Sequence, residues 1–323
     1  MVMDFPKLLT MTKIGSEVQK NCSKVGESGI NGIVLLGMGG SAIAGFYIQA
    51  YLQGTAGIPI IVNNDYELPK YVGSLWTAIA VSYSGNTEET LSAYQKATSR
   101  DCPTFVLASG GKLFEREDID HRVALPEGYQ PRAAFPAIFS PVLNMVENIC
   151  GLEMSELNSI ADSLSEKAGK WAPSPLSPMV LAKDLNGNVP IFIGSRHLTP
   201  VAYRAKCQIN ENSKMMAFYS QIPETNHNEI EGFVSDHSLD FIPVFLRSSY
   251  ESEAITKRMD ITASIYEDEG YSPIRLSMRS SSVLEEMLAM TFYLDWVSAE
   301  LAQLRGVDPV SVERIAKLKD QLK

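Results

Sequence analysis

Two short turns in the first third of the chain hold residue types that bind small anions. One is Gly37-Met38-Gly39-Gly40-Ser41 and the other is Ser82-Tyr83-Ser84-Gly85-Asn86-Thr87. Each follows an apolar run and precedes a helical pattern, and at the second turn backbone N–H groups and the positive end of a helix dipole converge with Ser and Thr hydroxyls. That combination suits a single terminal phosphate. The candidate binding residues are Gly39, Gly40, Ser41, Ser82, Ser84 and Thr87. The first turn, as Gly37-x-Gly39-x-x-Ala42 with Asp65 further on, satisfies a loose dinucleotide fingerprint, its plainer alternative being a Gly turn that only lets helix and strand pack closely. Three hydroxyls in the six residues of the second turn favour the phosphate. For Ser84 or Thr87 taken singly, the plainer reading is a helix N-cap.

Three further positions could move protons or meet developing charge. His227 lies in the polar run Glu224-Thr225-Asn226-His227-Asn228-Glu229, and an imidazole shuttles protons near neutral pH. Arg132 follows Pro131 and precedes an apolar helical run, so its fork can point from a helix start toward an oxyanion. Glu211 stands between Asn210 and Asn212 after the helix that carries Arg204 and Lys206. Their ordinary alternatives are a solvated loop histidine, a surface salt bridge and a surface carboxylate. His121, His197 and His237 have no such context and read as solvated loop histidines. A metal cluster could be drawn from His227, Glu229, Glu231, Asp236 and His237. No helical H-E-x-x-H and no H-x-H pair supports it, so no metal is expected.

These turns must be held by strands and helices. Residues 33–36, 59–62, 78–81 and 104–108 are short apolar runs of strand type, while 42–52 and 88–97 are apolar at helical spacing. Alternation of this kind predicts a parallel sheet covered on both faces. Residues 152–169 turn amphipathic, and three prolines within 173–178 stop any helix. Beyond them, 189–193 and 240–246 are strands, each followed by a small polar turn and a helix at 202–208 or 251–259. IVLLGMGGS matches IFIGSRHLT and AVSYSGNTEET matches VFLRSSYESEA, with Glu88 and Glu89 opposite Glu251 and Glu253. The fold class expected is α/β, two doubly wound domains with parallel sheets related by a weak internal duplication. Residues 1–152 form the first, 153–178 a linker and 179–323 the second, which closes with helical patterns at 282–304 and 311–322. Met287 and Met290 read as core packing.

The 323 residues suffice for two domains, each with its own core. Hydrophobic residues make up 45% and charged residues 20%, which excludes a largely disordered chain. The net charge of −10 provides no overall positive field for nucleic acid or anionic lipid. Cys22, Cys102, Cys150 and Cys207 form no C-x-x-C pair and read as free thiols. With no signal-like start and no apolar run of about 18 residues, the chain reads as cytoplasmic and outside the membrane.

The two turns GMGGSAIAG and SYSGNTEET resemble those of the sugar isomerase (SIS) fold, whose Ser/Thr-rich loop holds a phosphosugar phosphate. Pro131-Arg132-Ala133-Ala134, Ile209-Asn210-Glu211-Asn212-Ser213-Lys214, the run 224–229 and the closing GVDP narrow the likeness. Over nearly the whole chain, in order, it resembles the bifunctional phosphoglucose/phosphomannose isomerases of archaea and some bacteria. The resemblance implies interconversion of glucose 6-phosphate and mannose 6-phosphate with fructose 6-phosphate through a cis-enediolate, without cofactor. It implies Glu211 as the base, Arg132 on the enediolate, and His227 as ring opener contributed across a homodimer interface. Lys319, with Lys317 as an alternative, matches a ring-opening lysine. A phosphosugar-sensing SIS protein would not need Glu211, His227 and Arg132 together, and an NAD-dependent oxidoreductase would rest on the first turn and Asp65 alone.

Overall fold

The computed structural model describes residues 1–117, 121–172, 174–234 and 240–322. The chain divides into two compact units, the first essentially Met3–Ser163 and the second running from Leu164 onward. In the first, β1 (Gly32–Leu36), β2 (Ile60–Asn63), β3 (Trp76–Val81), β4 (Thr104–Ala108) and β5 (Arg122–Ala124) form one sheet in the order β2-β1-β3-β4-β5. Every pairing is parallel. β1 and β3 are buried at every position, as central strands covered on both faces must be. On one face Val34, Leu36, Ala78, Ala80 and Val106 share a core with Ala93, Tyr94 and Ala97 of the helix Glu88–Ser99. Gly45 lets the helix Gly40–Leu52 lie close to the sheet, because a Cβ there would stand 3.0 Å from Val62 and 3.3 Å from Leu35. The chain leaves β1 to one side for β2 and returns to its other side for β3. The order therefore reverses between β1 and β3, and a crevice opens beyond their carboxyl ends, the usual ligand position in such sheets.

The second unit repeats the plan with β6 (Val189–Ser195), β7 (Phe218–Ile222), β8 (Phe241–Arg247) and β9 (Ile274–Ser277), parallel and in the order β7-β6-β8-β9. Its helix Val283–Leu304 is buried along most of its length and packs on the helices Thr199–Asn212 and Pro178–Leu185. Met287 and Met290 lie in that core. The repeat extends to the backbone. A Cβ on Gly37 would meet Ser41 and Ala42, and one on Gly194 would meet Leu198 and Thr199, the same step along the chain.

The structure also shifts several boundaries. Glu88 and Glu253 open corresponding helices, whereas Glu251 stays in the turn and bonds to Ser248 and Arg247. Glu211 lies inside the helix Thr199–Asn212, in its last turn, rather than after it. β5, β7 and β9 were not expected. They are short and partly exposed, so no continuous apolar run marks them. Among the described residues no helix is long and apolar enough to cross a membrane.

Candidate active site

The crevice of the first unit is lined by the two turns singled out in the sequence. Leu36 pairs with Ala80, so Gly37 and Ser82 emerge side by side from β1 and β3. A Cβ on Gly37 would sit 3.1 Å from the Val81 carbonyl, and Gly39 starts the next helix at φ +51°. Gly40 matters most. A Cβ there would stand 3.1 Å from the Pro131 carbonyl and 3.6 Å from Arg132 Cα, so a bare glycine lets the Arg132 segment lie directly on the turn. Arg132 is buried in the short turn before the helix Phe135–Ile149.

In the second turn, Thr87 occupies the N-cap position of Glu88–Ser99 yet makes no capping bond. Its Oγ1 lies 2.9 Å from Ser82 Oγ instead. The N-cap explanation therefore fails for Thr87. Ser84 is exposed, and its Oγ accepts from the Asn86 N–H at 3.3 Å. Among the described residues the N–H groups of Ser84 and Thr87 find no acceptor, which leaves them as donors at the N-terminus of a twelve-residue helix.

Parts of the support were not visible in the sequence. Gly85, at φ +67°, packs so tightly on the Gly110 carbonyl that a Cβ would lie 1.7 Å from it. Leu113 N–H donates to Gly85 O at 2.8 Å, and Ser109 N–H to Tyr83 O at 2.9 Å. The Tyr83 hydroxyl donates to Pro126 O at 2.7 Å and accepts from Tyr129 N–H at 3.1 Å. Asp65 is engaged in its own turn, where its Oδ1 accepts from Glu67 N–H at 3.3 Å.

In the second unit Glu211 is half-buried on a helix that is firmly held. Arg204, on that helix, donates through Nε and Nη2 to the two Asp295 oxygens at 3.1 and 2.6 Å, both side chains buried. Just past Glu211, Asn212 Nδ2 donates to Ser298 Oγ at 2.9 Å and Ser213 Oγ to Ser298 O at 2.7 Å. Lys214 Nζ donates to the Glu211 carbonyl and, at 2.6 Å, to Ser311 O. This ties the Glu211 turn to the segment that enters the helix Glu313–Gln321, on which Lys317 and Lys319 are both exposed.

His227 ends the 3-10 turn Glu224–His227, pinned by buried Thr225 and by Asn226 Nδ2 donating to Thr262 Oγ1 at 2.7 Å. Its ring is exposed and has no hydrogen-bond partner among the described residues. Asp236 and His237 lie outside the described residues. Among those described, no three metal-ligating side chains converge. His197, expected to be a solvated loop histidine, is instead buried and bonded to Ser248 and Glu286 at the ends of β6 and β8, because its ring is needed to satisfy the buried Glu286 carboxylate.

Comparisons agree with this architecture. Residues 29–145 match the SIS domain, and 177–322 match the bacterial phospho-glucose isomerase C-terminal SIS domain. The chain is 36% identical over 318 residues to a bifunctional phosphoglucose/phosphomannose isomerase of Caldicellulosiruptor bescii, covering 95% of this chain and 94% of that one. With the enzyme of the same name from Aquifex aeolicus it shares 35% over 296 residues, 90% of each chain. A relative from Sulfolobus acidocaldarius, 32% identical over 90% of this chain and 88% of its own, is named D-glucosamine-6-phosphate 4-epimerase. Among solved structures, a hypothetical protein of Thermus thermophilus superposes with a TM-score of 0.75 at 19% identity, over 99% of this chain and 89% of that one. Tagatose-6-phosphate ketose/aldose isomerase of Escherichia coli gives 0.75 at 14%, over 95% and 92%. At these identities the two structures attest the fold alone.

Proposed function

Because the chain belongs to the bifunctional phosphoglucose/phosphomannose isomerase family, we propose that it interconverts glucose 6-phosphate and mannose 6-phosphate with fructose 6-phosphate. The observation that carries this reading is the crevice between β1 and β3, where the Ser84 and Thr87 N–H groups, without an acceptor among the described residues, meet the Ser82 and Thr87 hydroxyls and the Gly40-backed Arg132 segment. The phosphate binds the donors of residues 82–87 together with Gly39, Gly40 and Ser41. Arg132 stabilises the negative charge that develops on the enediolate oxygen. Glu211 takes the proton from C2 of the open-chain aldose and returns it to C1, while the hydroxyl proton passes from O2 to O1 of the cis-enediolate, so a single base serves both directions.

Ring opening needs a proton at the ring oxygen, which His227 of a second copy supplies with Lys319 assisting. An exposed imidazole without a hydrogen-bond partner among the described residues is consistent with that assignment. The reading uses no metal or nucleotide. Both epimers are served only if the open-chain substrate turns about C2–C3 in the site.

The test is purified protein treated with EDTA and supplied with glucose 6-phosphate, mannose 6-phosphate or glucosamine 6-phosphate. Fructose 6-phosphate is expected from the first two at an undiminished rate. Glu211→Gln, which keeps size and removes basicity, is expected to abolish both turnover and exchange of the C2 hydrogen with deuterated solvent. Turnover of the amino sugar alone would replace the substrate assignment, and near-normal exchange in the Glu211 variant would remove the base.

A further inference from the structure

The second unit has its own crevice, between the ends of β6 and β8, at the point where its strand order reverses. It is filled from within. Glu286, completely buried, reaches into it from the first turn of the helix Val283–Leu304. One carboxylate oxygen accepts from the Ser249 N–H at 2.9 Å. The other lies 3.0 Å from His197 Nε2 and accepts from the Ser248 hydroxyl. In the same loop the Ser248 N–H donates to Glu251 at 2.8 Å. Here the Ser248 and Ser249 N–H groups are spent on carboxylates of their own chain, whereas in the first unit the corresponding loop keeps the Ser84 and Thr87 N–H groups without an acceptor among the described residues.

Serine, histidine and glutamate together invite comparison with a nucleophilic triad, but the geometry refuses it. A triad places the acid on one ring nitrogen and the hydroxyl on the other. Ser248 Oγ and Glu286 both meet Nε2, at 3.1 and 3.0 Å. What remains is an oxyanion cradle. Burial pushes the Glu286 carboxyl upward, yet the bonds from His197, Ser248 and Ser249 outweigh it and hold the group below the usual carboxylate range, so it is a standing anion.

We propose that this crevice is a second oxyanion site of the same design, kept closed by the Glu286 carboxylate. The intact second unit then takes no phosphate, and removal of that carboxylate opens a site for a small oxyanion such as formate, acetate or inorganic phosphate. The proposal rests on the phosphate reading of the first unit only for the comparison between the two.

The experiment compares Glu286→Ala with the wild-type protein in sodium formate or sodium acetate against sodium chloride of equal ionic strength. The variant is expected to have a lowered Tm in chloride that climbs with the logarithm of formate concentration, while the wild type stays flat. A folded variant that responds to formate no more than the wild type overturns the proposal. If Glu286→Ala does not fold, the wild type still decides by the stoichiometry of inorganic phosphate in calorimetry. One phosphate per chain, lost in Ser84→Ala/Thr87→Ala, supports the closed site. Two per chain, or one that survives that double substitution, overturns it. Absence of any phosphate binding by wild type would remove the functional reading of the first unit while agreeing with a second site that is closed.

Discussion

Thr87 shows how one side chain separates two explanations that the sequence leaves equal. A capping threonine bonds to the N–H groups of its helix, but Thr87 turns to Ser82 Oγ at 2.9 Å and leaves those donors open. Hydroxyls and N–H groups that hold a phosphate far from the reacting carbons act equally on ground and transition state, so their loss appears in KM. Ser84→Ala and Thr87→Ala are each expected to raise KM by about 5- to 30-fold, equivalent to about 1 to 2 kcal/mol, with kcat little changed. Arg132→Ala should do the opposite. A donor to a developing oxyanion is worth about 100-fold or more in kcat. Steady-state kinetics on the three variants checks the split, and a pure KM effect for Arg132 would move it from the reacting end of the sugar to the phosphate.

At the scale of elements, the residues that hold the loops matter as much as those that line them. The turn 82–87 is clamped against the loop after β4, where Gly85 and Gly111 both have positive φ and each faces backbone. A Cβ on Gly85 would lie 1.7 Å from the Gly110 carbonyl, so Gly85→Ala must push two backbone segments apart. Gly39 also has positive φ, but a Cβ there would meet nothing within 4 Å. With ψ at −123° it lies outside the left-handed helical well, and Gly39→Ala is therefore limited to a backbone penalty of about 1 to 3 kcal/mol. Urea unfolding and KM measured on both variants should rank Gly85→Ala as the more damaging by each measure. Equal effects would mean that the clamp does not govern the loop. In the second unit, the buried Arg204–Asp295 pair performs the comparable service for the helix that carries Glu211.

Over the whole molecule, one plan is used twice with different fillings. Both sheets reverse strand order at their first strand, and both place a loop of small polar residues there. In the first unit the loop faces outward donors, and in the second it closes on Glu286. The four cysteines, free and spread over both units, follow burial rather than chemistry. Burial pushes the Cys22 thiol up to about 12, and it raises Cys102, Cys150 and Cys207 as well. The thiolate is the reactive form. Native protein at pH 8 is expected to react slowly with a thiol reagent and to release all four thiols promptly in denaturant. Rapid labelling of Cys22 in the native state would contradict that burial.

The α/β class, the parallel sheets and the two Gly- and Ser-rich turns after β1 and β3 were legible in the sequence, because buried parallel strands are unbroken apolar runs and tight turns into helices draw on Gly, Ser and Thr. The duplication was legible as well, though it was offset by one position at Glu251 and Glu253, since turn length is not marked by hydrophobicity. The edge strands β5, β7 and β9 were not legible, because a half-exposed strand of three to five residues carries too little pattern. Only the tertiary structure decided that Gly40 backs onto Pro131 and Arg132 and that Thr87 pairs with Ser82. Only it closed the crevice of the second unit with Glu286, a residue 89 positions from His197. Local patterning records what each segment buries; which donors are left for a ligand depends on contacts between segments distant in the chain.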